Sequence, residues 1–282
     1  YCKLNNHDFI IMGAPKTIDN DLNLTDHSPG YGSAAKYIAT TIAELACDVG
    51  AYNIPAVTIV EIMGRNAGWL TASAALARLN GGPGADLIYL CEKDFDNARF
   101  INDVKEKLAV KPAVLVAISE GIKDKDGNYV SDQISSGAVD NFGHKYIAGA
   151  ARVLENLVRN EIGCKVRSIE LNLMQRAAAH IASETDIMES LMLGQKALSC
   201  ALDGETGKMA AIKRLSDDPY RVEFISVPVN EVANHEKTVP LNWITPDGHD
   251  VTDELIAYMK PLIQGETNVK YANGIPMQLK LY

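Results

Sequence analysis

Residues 15–21 (PKTIDND) bring an ammonium, a hydroxyl and two carboxylates together in one short segment. These groups belong to Lys16, Thr17, Asp19 and Asp21, and they follow an apolar run at residues 9–12. Such a run, ending in glycine and proline, predicts a buried strand that opens into a loop. A cation beside two acids suits the binding of a phosphoryl group and its metal ion. From these residues alone, a polar turn capped by the two aspartates remains the alternative.

A second candidate site follows the predicted strand 56–62. Residues 63–68 (MGRNAG) place Arg65 between two glycines, just before a predicted helix that extends to about residue 79. Backbone N–H groups at the start of a helix and a guanidinium group can both bind phosphate oxygens. A simple strand–helix turn with a solvated arginine is the alternative interpretation.

Two further segments carry polar groups at predicted strand ends. Glu120 directly follows the apolar run 113–119, where its carboxylate could accept hydrogen bonds from a sugar hydroxyl or could lie exposed in a turn. Arg167 and Arg176 bracket an apolar stretch, so either could contribute a cation to a cleft, while a surface position is the alternative for Arg167. The six histidines show no metal-ligand spacing.

Apolar runs alternate with segments of helical periodicity along most of the chain. This alternation predicts an α/β fold with doubly wound, mostly parallel sheets. A first helix is predicted with Ser28 as its N-cap and Pro29 in its first position. The other predicted strands are 86–91, 113–119, 166–171, 209–213 and 222–227, the other helices are 100–108, 147–158 and 186–202, and loops are predicted at 124–127 and 131–140.

Composition limits the class of protein. Lys and Arg number 27 against 36 Asp and Glu, a net charge of −9, which argues against nucleic acid or an anionic membrane as a partner. No apolar run approaches the roughly 20 residues that span a bilayer, and no signal-peptide pattern is present. The five cysteines are widely spaced and lack a CxxC pair. We therefore expect neither a disulfide framework nor a zinc site. The same cysteine pattern favours a cytoplasmic location.

Taken together, these segments resemble the 6-phosphofructokinases. Residues 15–21 match the family's PKTIDND signature, residues 63–68 match MGRxAG, and Gln175 with Arg176 matches its QR segment. The resemblance covers essentially the whole chain but starts partway into the family's fold, so a fragment without the GGDGS or GGDD donor loop is expected. It implies two interlocked domains, with 1–28 ending a donor domain, 29–174 forming a fructose 6-phosphate domain, and 175–282 returning to the donor domain with a C-terminal extension.

The resemblance also implies a reaction, phosphoryl transfer to the 1-hydroxyl of fructose 6-phosphate. Asp19 is implied as the general base, assisted by Lys16 and Arg65, and Asp21 is implied to lie near Mg²⁺ with water in between. Arg167 and Arg176 would bind the 6-phosphate, with Arg167 reaching a neighbouring subunit's site in a homodimer or homotetramer. The full set of implied substrate-binding residues is Thr17, Ile18, Asp19, Met63, Gly64, Arg65, Glu120, Arg167, Leu173, Met174, Gln175 and Arg176.

The phosphoryl donor is the open choice within the family. Lys16 and the run 25–37 look more like the pyrophosphate-dependent branch, while an ATP-dependent enzyme is the alternative. Ala56 and Leu173 depart from the ATP-type bacterial pattern, which has an arginine and a histidine at these places. A non-catalytic regulatory subunit of the same fold is a third possibility. Retention of Lys16, Asp19, Asp21 and Arg65 counts against it, because an inactive site need not keep that chemistry.

Overall fold

The structure is a computed structural model that describes residues 3–5, 7–133 and 149–278. Its strands are β1 (Met12–Gly13), β2 (Ala56–Ile62), β3 (Leu87–Tyr89), β4 (Ala113–Ser119), β5 (Lys165–Glu170), β6 (Lys208–Asp217), β7 (Tyr220–Pro228), β8 (Tyr271–Ala272) and β9 (Ile275–Pro276). Its α-helices are α1 (Tyr31–Gly50), α2 (Trp69–Ala72), α3 (Asn97–Val110), α4 (Ala150–Glu161), α5 (Glu184–Leu202) and α6 (Asp253–Met259). Most of the predicted loop 131–140 and the first residues of the predicted helix 147–158 lie outside the described residues.

The chain divides into two compact units, which are described separately. The larger unit comprises Ala34–Ala178 and Thr238–Lys260, and the smaller unit comprises Tyr1–Ser33, Ala179–Lys237 and Pro261–Tyr282. The functional labels attached above to 1–28, 29–174 and 175–282 stay a prediction.

A four-stranded parallel sheet forms the centre of the larger unit, in the order β3-β4-β2-β5. Every residue of β2 and β4 is buried, as expected for parallel strands covered on both faces. Helices α3 and α4 contribute Phe100, Val104, Leu154 and Val158 to the core that packs against these strands. The predicted strands 56–62 and 113–119 are confirmed residue for residue, as is the α/β class.

The smaller unit contains a three-stranded sheet in the order β1-β6-β7. Strand β1 runs parallel to β6, while β6 and β7 form an antiparallel hairpin. Leu193 and Ala197 of α5 pack with Ala210 and Ile212 of β6. Within the described residues, no helix combines the length and the apolar character needed to cross a bilayer.

The predicted buried strand at residues 9–12 is wrong. Phe9, Ile10 and Ile11 are 63, 53 and 58% exposed, and β1 consists only of Met12 and Gly13. The cause is the length of its neighbour, because β6 begins at Lys208, the residue that pairs with Met12. Ile11 still donates to the Thr206 hydroxyl at 3.0 Å and accepts from Gly207 N at 2.8 Å, but no strand of the described chain continues beside residues 9–11.

The first helix also begins later than predicted, at Tyr31. The buried carboxylate of Asp186 accepts hydrogen bonds from Gly30 N (2.8 Å) and from Ser33 N (3.1 Å). It thereby replaces the local N-cap that the sequence predicted at Ser28. The Ser28 hydroxyl is buried and has no hydrogen-bond partner among the described residues. A cap supplied from far along the chain leaves no local signal.

A buried ionic network holds the segment before α1. His27 is 2% exposed, with Nδ1 2.7 Å from Asp26 and Nε2 2.5 Å from Glu189. Arg214 also contacts Asp26, at 2.8 Å, and the Tyr220 hydroxyl donates to Glu189 at 2.7 Å. Burial opposes a charge on the imidazole, but the hydrogen bonds that its ring N–H groups donate to the carboxylates of Asp26 and Glu189 raise the pKa of His27. The protonated ring therefore links residues 26–27 to α5.

This network predicts a pH-dependent stability. Because the pKa of His27 is raised in the folded state, its contribution is complete below pH 6.5 and is lost as pH rises through the folded pKa. We expect the free energy of unfolding to fall above pH 6.5 by up to about 1.4 kcal/mol per pH unit. Urea unfolding between pH 6 and 8 measures it. The window ends near pH 8, because burial lowers the pKa of Lys237 to about 8. Above that pH the folded state loses the Lys237 proton before the unfolded state does, and the free energy of unfolding rises again with pH.

The matched variants are His27→Gln and His235→Gln, the second removing an exposed histidine of the same unit. The His235 variant should keep the decline and the His27 variant should lose it. An equal decline in both variants would remove His27 from this role.

Candidate active site

In the smaller unit, the loop 15–21 is fixed by hydrogen bonds along both of its sides. Thr17 N donates to Pro29 O at 3.1 Å, and Lys237 N donates to Asp21 O at 2.7 Å. Within the loop, Asp19 N donates to the Thr17 hydroxyl at 3.1 Å. The two aspartates therefore stand on a backbone with little freedom to move.

Asn20 lies between the two aspartates and is fully buried. Its φ of 57° is in the left-handed region, which Asn adopts more readily than most residues. Its side-chain Oδ1 accepts a hydrogen bond from Ser28 N at 3.1 Å. Asp19 and Asp21 remain partly exposed, so both carboxylates can reach a ligand while the residue between them anchors the loop.

The electrostatics of the loop come from burial and from nearby charges. Burial raises the pKa of Asp21, and Glu236 raises it further, while Lys237 and the Thr17 hydroxyl oppose the shift. Lys16 is exposed, as a cation that meets a diffusing anion must be.

In the larger unit, three loops follow the carboxyl ends of β2, β4 and β5 and are tied to one another. Met63 N donates to Gln175 Oε1 at 3.3 Å, and Gly64 N donates to Glu120 Oε1 at 3.3 Å. The Ser119 hydroxyl donates to Gly64 O at 2.5 Å. The structure thus brings together Met63, Gly64, Glu120 and Gln175, four of the residues that the sequence predicts for substrate binding.

Close backbone approach explains two glycines at this edge of the sheet. Gly64 has a φ of +129°, which L side chains rarely adopt. A Cβ atom added at Gly121 would lie 1.9 Å from Arg65 O, so any side chain there would displace the Arg65 backbone. The Arg65 Nε is buried without a hydrogen-bond partner in the described part of the chain. An unpaired buried donor is expected where a ligand completes the site.

The segment after β5 separates into buried and exposed side chains. Gln175 is 2% exposed, and its Nε2 donates to Asn172 O at 2.9 Å. Its amide is thus engaged within the protein, and its contact with substrate stays a prediction. Leu173 and Met174 are 54% and 55% exposed, and Arg176 is also exposed.

Arg167 is the one predicted residue of the larger unit that lies within a strand rather than in these loops. It is exposed on the edge strand β5, where it pairs in register with Thr58 of β2. Its role at a substrate site therefore stays a prediction.

The helix predicted after residues 63–68 is shorter than expected, and phosphate binding at its start stays a prediction. Helix α2 extends only from Trp69 to Ala72 and continues as a 3-10 helix, so it supplies at most a small dipole. The Gly68 N–H donates to Glu92 Oε1 at 2.8 Å, and the same oxygen accepts from Val239 N at 2.9 Å. Glu92 therefore engages one of the backbone N–H groups at the start of this helix.

Sequence reasoning missed Glu92, Lys237 and the pair His27–Glu189. Each acts through a contact with residues far away along the chain, and no motif or periodicity marks such contacts. Only the clustering of charged residues in the fold reveals them.

A metal ion could be held only partly by the described residues. They contain no group of three or more His, Cys, Asp or Glu side chains placed to bind a metal. Mg²⁺ commonly uses one or two carboxylates together with water and substrate phosphates. The partly exposed Asp21 fits that arrangement as a single contributor.

Comparison with known proteins agrees with the site's sequence pattern. A family model described as phosphofructokinase matches residues 2–201. The pyrophosphate–fructose 6-phosphate 1-phosphotransferase of Halomonas elongata is 40% identical over 269 residues, which are 95% of this chain and 64% of that protein. The protein of the same name from Xanthomonas campestris pv. campestris is 41% identical over 273 residues, 96% of this chain and 65% of that protein.

The solved structures give the same result for the fold. The crystal structure of a pyrophosphate-dependent phosphofructokinase from Marinobacter aquaeolei matches with a TM-score of 0.85 and 32% identity, covering 98% of this chain and 66% of that one. The chain thus spans about two thirds of the length of these three relatives. Its motifs, its fold and its identity to these relatives all lead to one conclusion: this chain belongs to the phosphofructokinase family.

Proposed function

We propose that the protein transfers a phosphoryl group from pyrophosphate to the 1-hydroxyl of fructose 6-phosphate, giving fructose 1,6-bisphosphate, in a reversible step of glycolysis. The observation that carries the proposal is the anchored loop 15–21, which offers two partly exposed carboxylates beside an exposed ammonium. The names of the Halomonas and Xanthomonas relatives support the choice of donor and acceptor.

In the proposed mechanism, Asp19 accepts the proton of the 1-hydroxyl as that oxygen attacks the phosphorus atom. A bond forms between the sugar oxygen and phosphorus, the bond to the second phosphate breaks, and inorganic phosphate leaves. General-base assistance of this kind is worth about 10²–10⁴-fold in rate. Lys16 and Arg65 offset the negative charge of the phosphoryl group during its transfer. The anchored backbone keeps Asp19 in position for the proton.

Binding of the sugar phosphate is assigned to the remaining predicted residues. Glu120 accepts hydrogen bonds from sugar hydroxyls, and the buried Nε of Arg65 supplies an unpaired donor. Arg176 and Arg167 bind the 6-phosphate, because guanidinium groups match phosphate oxygens in pairs. The others, which line the sugar site, are Thr17, Ile18, Met63, Gly64, Leu173, Met174 and Gln175.

The proposal also includes a metal ion and an oligomeric state. Mg²⁺, when bound, offsets the charge of the pyrophosphate oxygens, and Asp21 would hold it through water. A homodimer or homotetramer is proposed in which Arg167 reaches the neighbouring subunit's site, as its exposed position on an edge strand allows. The cytoplasmic location stays a prediction.

The proposed donor is tested by steady-state kinetics of the complete gene product with fructose 6-phosphate and Mg²⁺. We expect kcat/KM for pyrophosphate to exceed kcat/KM for ATP by at least tenfold. A larger value with ATP would reject the pyrophosphate assignment. Absence of turnover with both donors would favour a non-catalytic subunit.

Substitution of Asp19 tests the assignment of the general base. Asp19→Asn keeps the shape of the side chain but cannot accept the proton, so kcat should fall by about 10²–10⁴-fold while KM for fructose 6-phosphate changes little. Asp8→Asn is the matched control, because it removes an exposed aspartate of the same unit. An unchanged kcat in Asp19→Asn would remove Asp19 from this role.

Arg167→Ala tests the proposed phosphate contact. Loss of a charged hydrogen-bond pair should raise KM for fructose 6-phosphate by roughly 10–100-fold, from about 1.5–3 kcal/mol of lost binding, with a smaller effect on kcat. Arg159→Ala, which removes an exposed arginine from α4 of the same unit, serves as the control. If only KM for the donor moved, the assignment to the sugar phosphate would be incorrect.

A further inference from the structure

The Lys237 side chain contacts several residues of the segment that contains Asp19 and Asp21. The Lys237 ammonium donates to Asp26 O at 2.6 Å, to Thr25 O at 3.1 Å and to Asn20 Oδ1 at 3.5 Å. Asn20 lies within the acidic loop, and Thr25 and Asp26 lie between that loop and α1. One cation therefore gathers three oxygens from seven consecutive residues, 20–26.

The backbone beside Lys237 reinforces this attachment. Lys237 N donates to Asp21 O at 2.7 Å, and Glu236 forms an antiparallel bridge with Leu22. Residues 236–237 thus lie along the loop like a short strand, while the Lys237 side chain reaches the far end of the same segment. Lys237 therefore binds this segment twice, through its backbone N–H at Asp21 and through its side chain at Asn20, Thr25 and Asp26.

Asn20 transmits this anchoring to the two aspartates. It is fully buried, and its Oδ1 accepts from both Ser28 N and the Lys237 ammonium. Since Asp19 and Asp21 are its direct neighbours, any rotation of the Asn20 peptide units would move both carboxylates together. Rigid support of this kind is what holds a reacting group within about 1 Å of its productive place, an error that can cost about 10²-fold in rate.

We infer that Lys237 is a positioning residue, which through Asn20 sets the places of the Asp19 and Asp21 carboxylates without itself touching substrate. The inference rests on the proposed function for its effect on catalysis, but the anchoring itself can be measured without turnover. Removing the ammonium would take the shared donor away from the Asn20, Thr25 and Asp26 oxygens, and Asn20 Oδ1 would keep only its bond from Ser28 N among these contacts.

The experiment compares Lys237→Met, Asn20→Gly and the double variant that carries both changes with the unaltered protein, using the complete gene product. Asn20→Gly removes the Oδ1 acceptor, and glycine tolerates the φ of 57° at this position. Lys213→Met is the control, because it removes a lysine of the same unit that is 59% exposed. Each variant is assayed for kcat and KM, and for amide hydrogen exchange of residues 17–28 below its unfolding temperature.

We expect kcat to fall about 100-fold in Lys237→Met, with less than a threefold change in KM for fructose 6-phosphate. Amide hydrogen exchange should accelerate in residues 17–28. In the double variant, kcat should fall by less than the product of the two single-variant fold-losses, since both changes break one anchor. Lys213→Met should match the unaltered protein in every measurement.

Three results would overturn the inference. The first is a Lys237→Met protein that stays folded with unchanged kcat. The second is an unchanged rate of amide exchange in residues 17–28. The third is a lower unfolding temperature with no change in either kcat or exchange. If the unaltered protein shows no turnover, the proposed function fails instead, and the exchange of residues 17–28 in the two variants still decides whether Lys237 anchors the loop.

Discussion

Parallel pairing in register is the constraint on which the larger unit depends. Ile62 of β2 pairs with Ser119 of β4, and Glu61 pairs with Glu170 of β5, so all three strands end at the same level. The loops that follow must therefore meet, and the hydrogen bonds from Met63, Gly64 and Ser119 join them. A shift of one residue in any strand would turn its side chains to the opposite face and separate these loops.

The smaller unit achieves precision in a different way. Its acidic loop follows a strand of only two residues, so the sheet alone positions it weakly. The fixed geometry comes instead from charged and polar groups brought in from distant positions: Lys237 on Asn20, Asp186 on the start of α1, and Glu189 on His27. Buried groups of this kind are costly unless they are fully paired, which makes the arrangement specific once it has formed.

The sequence predicted local features well and distant contacts poorly. The two central strands were predicted residue for residue, because runs such as AVTIVEI and AVLVAIS have the apolar, β-branched character of buried parallel strands. The loop motifs were found because their residue types are unusual at strand ends. The prediction of a strand at residues 9–12 failed because apolar character cannot reveal that, among the described residues, β6 begins only opposite Met12. The cap of α1, the partner of Gly68 and the anchor Lys237 depend on contacts between residues distant in the chain, which no local pattern records.

In the proposed reaction, Asp19 removes the proton from the attacking hydroxyl of the sugar. The most direct measurement is a crystal structure of the complete gene product with bound fructose 6-phosphate. We expect a carboxylate oxygen of Asp19 to lie about 2.6–3.2 Å from the oxygen of the 1-hydroxyl, or to contact it through one water. A bound sugar phosphate whose 1-hydroxyl contacts a different base, with Asp19 beyond the reach of one water, would contradict it.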